Sequence, residues 1–557
     1  MNDMAFGAID PGRMVERQIV WDRLIAIVEE QAQTLQRTAF STIVRESGDL
    51  AAGFFDAKGQ MLAQAVTGTP GHINSMALSV GHILNRHPLD TLRDGDVIVH
   101  NDPWMGTGHT NDVCLTTPCF HRGRCVGFFA CNSHLADIGG LRDVSASTDV
   151  YMEGLYLPIM KVIDAGRLNQ GIIDIIEANT RQPVESVGDV FSMISCNELG
   201  CTRLRQMLDE FRLEDVEAIS AHIIATSKAA VEREIRKLPR GTWEGSLTLD
   251  GQGAPVNLRA ALTIGDGTMH VNYAGTDGMT DKNFNVPFCY TLAYTSFALG
   301  CVVASAIPNN AGSLAPRTVS APLGSIVNAT KPAAVISRHL VGLMLPDLVF
   351  NCLRQAVPDR VPAEGAGVHW GISIHGSRSL PPRLDDRFFV NVVTTGGMGA
   401  LPFRDGMSAT GFPSGIRGGS IEVFEAMSTV LVWRKQYRED SGGAGRFRGG
   451  MGQVIEIENG IDAPFHYSTM YERVIHPARG AAGGMAGARG VIRVDSGRDL
   501  PGKGQHLIQP GERVTILSAG GGGHGDPRDR ERSLVEADLA NGFVSDEAAR
   551  TIYGYSA

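Results

Sequence analysis

Glycine sets the tightest limit on what this chain can build. It has 67 glycines, and from Thr394 onward they dominate, in TTGGMGALPF, GIRGGSIEVF, SGGAGRFRGGMG and GGGGHGDP. An interior glycine costs a helix about 1 kcal/mol relative to alanine, so runs this dense exclude long helices there. Strand-like stretches separate them, at 453–458 and 513–517. The pattern predicts a β-rich region over 394–557 with its glycines in tight turns. Helical segments at 533–540 and 546–552 close it, broken at Asn541-Gly542.

Upstream, the periodicity changes. Val20, Leu24, Ile27, Val28 and Leu35 recur at helical spacing within 15–38, which predicts an amphipathic helix. Apolar residues flanking Asp56-Ala57-Lys58-Gly59 predict a hairpin. A short helix is expected over 74–85, and the turn Asp94-Gly95-Asp96 leads into a strand at 97–99. Strands at 113–117 and 126–130 join through Arg122-Gly123. The stretch 198–237 reads as mostly helical, ended by Leu238-Pro239-Arg240-Gly241. Strands follow from Thr242, then a helix over 290–304. With 557 residues there is room for about three domains. The expected class is α+β, a large mixed multi-domain chain. We divide it into an α+β region over 1–240, a mixed α/β region over 241–393 and the glycine-rich β region over 394–557.

Charge and composition exclude several classes. The net charge of −10 leaves no basic footprint for nucleic acid. Nine cysteines occur without a C-x-x-C pair, as expected of reduced, mostly buried thiols rather than a thiolate metal site. No run approaches 18 consecutive apolar residues, so no membrane span is expected. The opening MNDMAFGAIDPGRMVERQ carries Asp and Glu and no apolar core segment. It does not read as a secretory signal, and a cytoplasmic location is expected.

Polar chemistry concentrates in NDPWMGTGHTNDV (101–113) and ACNSHLADIGG (130–140). His109 and Asp112 are three apart in a loop entering a strand, and His134 lies just past the end of the next strand. If these strands pair as a hairpin, all three residues meet at one end of it. Two imidazoles and a carboxylate suit a borderline divalent ion such as Zn²⁺, Mn²⁺ or Fe²⁺. H-x-x-D is not specific, and a hydrogen-bonded surface pair fits the spacing equally well. Asp137 is a candidate base or hydrogen-bond partner, in competition with a simple turn at Asp137-Ile138-Gly139-Gly140. Glu46 and Asp49 are candidate further carboxylates, in competition with a solvated turn. Asp102, before Pro103, reads as a turn residue, and His72 in TPGHINSM as a pocket residue or a cap neighbour.

The glycine runs invite a phosphate reading, because a bare backbone can approach an anion closely. None is G-x-x-x-x-G-K-[ST]. Gly520, Gly522 and Gly525 match G-x-G-x-x-G after a strand, but Asp526-Pro527 follows and no βαβ unit is completed. No G-x-S-x-G nucleophile elbow occurs. A self-contained nucleotide hydrolase is not supported.

Several ordered blocks together resemble the hydantoinase B/oxoprolinase family over nearly the whole length. They are LIAIVEEQAQTLQRTAFSTIVRESGDLAAGFFDAKGQMLAQ, HINSM, NDPWMGTGHTNDV, HLADIGG, SGGAGRFRGGMG and PGERVTILSAGGGGHGDP. The resemblance implies that His109, Asp112 and His134 bind one divalent metal ion. It also implies a hydantoinase A-type partner subunit carrying ATP and Mg²⁺, in a hetero-oligomer. The implied chemistry is ATP-dependent opening of a cyclic amide or imide, such as a hydantoin, 5-oxoproline or a lactam. The alternatives are a ketone carboxylase subunit and a non-catalytic scaffold. Two departures stand out: Leu135 replaces a second histidine frequent in the family, and its G-G-T-H-L-P-D reads Gly106-Thr107-Gly108-His109-Thr110-Asn111-Asp112.

Overall fold

A computed structural model describes residues 11–383 and 386–556. The amino-terminal stretch read for a secretory signal begins outside the described residues. The first sheet has seven strands in the order β2-β1-β5-β4-β3-β6-β7. These are β1 (Leu50–Asp56), β2 (Met61–Gln64), β3 (Val97–His100), β4 (Asp112–His121), β5 (Arg124–His134), β6 (Met160–Asp164) and β7 (Arg167–Leu168). Helices α1 (Pro11–Thr38), α2 (Thr42–Arg45), α3 (Pro70–Arg86), α4 (Gln170–Asn179), α5 (Pro183–Glu210) and α6 (Glu217–Arg236) accompany it.

Successive strand residues face opposite ways, and both faces of this sheet are covered. Phe54 and Phe129 pack with Leu24 of α1 and Leu204 of α5. Their neighbours Phe55 and Phe128 pack with Met76 and Val80 of α3. That is why β1, β4 and β5 read as nearly continuous apolar runs. The helical stretch expected over 198–237 is interrupted: α5 ends at Glu210, Arg212 adopts φ 54° and α6 begins at Glu217.

The second sheet, ordered β11-β10-β9-β8, comprises β8 (Gly241–Leu249), β9 (Val256–Ile264), β10 (Met269–Asn272) and β11 (Arg317–Ser320). In β9 buried residues largely alternate with less buried ones, as on a sheet with one wet face. Helices α7 (Phe288–Val303), α8 (Ala311–Leu314), α9 (His339–Gly342) and α10 (Leu345–Ala356) belong to this part of the chain. Leu258 and Leu262 of β9 share a core with Tyr294 of α7 and Leu348 of α10.

The last eight strands are β12 (Trp370–Ser377), β13 (Arg387–Thr394), β14 (Val430–Tyr437), β15 (Gln453–Asn459), β16 (Phe465–Met470), β17 (Val491–Val494), β18 (Lys503–Ile508) and β19 (Arg513–Leu517). They form two four-stranded sheets, β13-β12-β16-β18 and β14-β15-β19-β17. Ile372, Ile374 and Tyr467 of one share a core with Ile455, Ile492 and Ile516 of the other, so the two sheets pack against each other. Helices α11 (Ile421–Met427), α12 (Arg532–Ala540) and α13 (Asp546–Thr551) complete the chain.

The glycine runs are not mainly turns, contrary to the sequence reading. Segments around 398, 443, 450, 485 and 521 lie side by side, joined by backbone bonds such as Gly450 N–H to Met398 O (2.8 Å) and Gly521 N–H to Gly450 O (3.0 Å). A Cβ on Gly397 would stand 1.8 Å from Gly450 O, and one on Gly521 2.0 Å from Met398 O. Neither residue has the left-handed φ that a turn would demand. Glycine is required there because main chain packs on main chain.

Candidate metal centre

The β4–β5 hairpin sets the site. Its register places Asp112 directly opposite His134, as expected if the start of one strand meets the end of the next. His109 arrives from the loop before β4. Gly108, at φ 95°, lets Arg338 pass: a Cβ there would stand 2.7 Å from the Arg338 side chain. Donor atoms of His109, Asp112 and His134 all lie within 4.8 Å of one another.

These donors are buried and unsatisfied. His109 Nε2 lies 2.9 Å from Asp112 Oδ1, yet neither atom makes a hydrogen bond, and His134 Nδ1 is buried without a partner too. Each buried unpaired polar atom costs about 1–3 kcal/mol, so three converging on one point call for a shared partner. A divalent cation satisfies all three lone pairs, and imidazole, imidazole and carboxylate are its ordinary donors. The residues fit the ion.

Their surroundings fix which atoms face inward. His109 Nδ1 lies 3.1 Å from the Ile336 carbonyl. A carbonyl only accepts, so Nδ1 carries the proton and Nε2 presents a lone pair. Burial and the Arg338 guanidinium, outweighing Asp112, push His109 down to about 4. On Asp112, Oδ2 accepts from Thr107 Oγ1 (2.6 Å) and Arg338 Nη2 (2.6 Å), leaving Oδ1 uncommitted. Burial opposes charge on Asp112, but His109, His72 and Arg338 prevail and hold it well below the usual carboxylate range. His72, in the first turn of α3, places Nε2 3.0 Å from Asp112 Oδ2 and Nδ1 3.3 Å from Asp49 Oδ1. The Ile336 segment is itself anchored, because Glu153 Oε1 accepts from Val335 N (2.6 Å) and Ile336 N (2.8 Å).

His109 and His134 open into a cavity of about 270 Å³ that His339 and His369 also line. The latter two rings stack with centroids 5.8 Å apart. Farther along, Ile43, Phe389, Val390 and Met427 give the cavity an apolar wall.

Other sequence candidates lie elsewhere. Asp137 pairs with Arg181 Nη1 (2.8 Å) and accepts from the Arg181 backbone N–H, and it does not line the cavity. Glu46 pairs with Arg45 (3.3 Å) beside a separate small depression. Asp102 accepts from Tyr156 and from Trp104 N. Asp49, expected in a solvated turn, is instead buried at the site. Arg338, His339, His369 and Tyr290 escaped the sequence reading. Arg338 is 226 positions from Asp112, and no local pattern links them.

The family model for hydantoinase B/oxoprolinase matches residues 13–527. The chain belongs to that family. The β subunit of caprolactamase from Pseudomonas jessenii is 29% identical, over 98% of this chain and 96% of that one. A crystal structure of ATP-dependent caprolactamase from the same organism matches with TM-score 0.87 at 26% identity, covering 98% and 96%. 5-Oxoprolinase 1 of Arabidopsis thaliana is 28% identical over 92% of this chain, which spans 42% of that longer protein. An acetone carboxylase structure shares the fold, with TM-score 0.86 at 19% identity, covering 97% and 79%. Within the hydantoinase B frame, Leu135 packs in the core of the first sheet and does not line the cavity. Cysteines other than Cys301 are buried and free, and no described helix is long and apolar enough to cross a membrane.

Proposed function

We propose that this chain is the metal-dependent subunit of an ATP-dependent amidohydrolase opening a cyclic amide or imide of the hydantoin, 5-oxoproline or lactam type. Its partner is a hydantoinase A-type subunit that binds ATP and Mg²⁺. The observation that carries this reading is the convergence of unpartnered donors from His109, Asp112 and His134 beside a cavity that both histidines line. One Zn²⁺, Mn²⁺ or Fe²⁺ held by these three would supply Lewis acidity toward a carbonyl or a water. Arg338 and Thr107 orient Asp112, and the Ile336 carbonyl orients His109. The apolar wall of Ile43, Phe389, Val390 and Met427 excludes water and accommodates a ring. His339 and His369 offer neutral imidazoles beside the reacting end, because burial pushes His339 well below its ordinary value and His369 to about 4.

A ketone carboxylase is the second reading, favoured by the shared fold with acetone carboxylase. Reconstitution with the A-type subunit, metal analysis and an ATP-turnover screen over hydantoins, lactams and ketones test both. Ring opening without bicarbonate is the expected result, and strict bicarbonate dependence would shift the assignment to carboxylation. Activity surviving in His109→Ala would reduce the chain to a scaffold.

A further inference from the structure

We infer that Arg338 is a positioning residue that makes Asp112 a one-oxygen ligand, and so keeps a coordination position open for substrate. The inference rests on the metal reading above. A free carboxylate beside a divalent ion can bind through one oxygen or both. Here the choice is made before any ion arrives. Asp112 Oδ2 receives Arg338 Nη2 and Thr107 Oγ1, each at 2.6 Å, with His72 Nε2 at 3.0 Å, and all three side chains are buried. Oδ1 is left bare, facing His109 Nε2 at 2.9 Å.

Arg338 cannot swing aside to release Oδ2. Its Nε donates to the Thr107 carbonyl at 2.7 Å, and its guanidinium lies 4.2 Å from the Tyr290 ring centroid. A planar fork held on a ring and bonded in two directions has one orientation. The same short segment carries the Ile336 carbonyl that orients His109, and Glu153 ties that segment down through two backbone N–H groups. One loop, more than 200 positions from the hairpin, therefore dictates which atom each of two ligands presents.

The test uses the purified chain, stripped with chelator and titrated with Co²⁺ as the only ligand. Partners of ligating groups typically contribute 10–100-fold in metal affinity. Arg338→Gln should lose affinity in that range. Its Co²⁺ d–d absorption should weaken as Oδ2, held now only by Thr107 and His72, is drawn into the coordination and the number of ligands rises. Arg338→Lys keeps the charge without the fork and should also lose affinity; wild-type behaviour in Lys would mean that charge alone matters and would overturn the positioning role. Thr107→Val, which keeps the side-chain shape but removes the donor to Oδ2, should lose several-fold and shift the spectrum the same way. Unchanged affinity and spectrum in Thr107→Val and in whichever Arg338 variants fold would sink the inference while leaving the metal reading intact. A wild-type chain that binds no Co²⁺, Zn²⁺ or Mn²⁺ would sink the metal reading first.

Discussion

At His109 two demands meet in one ring. Burial wants its polar atoms paired, and Nδ1 is paired with Ile336 O, yet Nε2 is left facing a carboxylate oxygen that it does not bond. Such an arrangement costs stability unless something lies between them. His109→Ala should leave a folded chain whose purified metal content falls from about one ion to near zero, read by elemental analysis beside far-UV circular dichroism. Chelation of the wild type should lower its melting temperature, because an ion at 1,000 times its Kd contributes about 4 kcal/mol; the alanine variant should not respond.

Glu153 gives a pH-dependent counterpart. Burial pushes its carboxyl up to about 7, against hydrogen bonds from Ile336, Val335 and Ser147. A raised folded value means that the protonated form suits the fold. Its contribution is therefore complete below about 4.5, the unfolded value, and is lost as pH rises through 7. Glu153→Gln removes that titration. Its stability relative to wild type should grow between pH 4.5 and 8, by at most about 3 kcal/mol, in urea titrations at each pH. A flat difference would show that Glu153 does not titrate there.

At the scale of elements, the hairpin was legible and the loop opposing it was not. Arg122-Gly123 between two apolar runs marks the turn, and a one-residue bulge opposite Cys119–Phe120 then shifts the pairing so that Asp112 lies across from His134. Nothing comparable marks Val335 to His339, whose role comes only from where the second part of the chain docks. Asp137, three residues after His134, looks poised to help when read from the sequence; Arg181, 44 positions on, pairs with it. The glycine runs were legible as glycine-requiring but not as to why, since a tight turn and a close approach both need the missing Cβ. Mutation tests the close approach. Gly521→Ala would drive its Cβ to 2.0 Å from Met398 O, with backbone on both sides and nothing flexible to yield. It should abolish soluble expression or lower the melting temperature by roughly 10 °C or more. Gly81→Ala, inside α3 with open space around the new methyl, should instead gain about 0.5–1 kcal/mol. Differential scanning fluorimetry of the pair decides whether backbone close approach governs Gly521, with Gly81 as the glycine that has no such neighbour.

At the scale of the whole molecule, the cavity draws its wall from every part of the chain: Asp49, His72, His109 and His134 from the first part, Tyr290 and Arg338 from the second, and His369 and Ser414 from the third. Its shape therefore depends on how the second and third parts are held together, and one buried cation is central to that. Arg473, beyond β16, reaches Asp347 of α10 (2.9 Å) and Glu364 before β12 (3.2 Å). Its side chain is only 2% exposed. Removing one member of a buried ion cluster leaves the others desolvated and unpaired, which costs about 3–5 kcal/mol. Arg473→Ala should lose about that much, far more than an exposed pair such as Arg493–Asp499 (2.6 Å), where Arg493→Ala should cost under about 1 kcal/mol. The defect should also depend on pH in a known direction. Burial opposes charge on Glu364, but Arg473, with Arg479, holds it down at about 2. Without Arg473 the carboxyls of Glu364 and Asp347 rise, protonation relieves the unpaired charge, and the variant should recover part of its loss between pH 8 and pH 5. Urea titrations of both proteins at the two pH values measure this, and a deficit that is constant with pH would mean that Arg473 holds the sheets by packing rather than by charge.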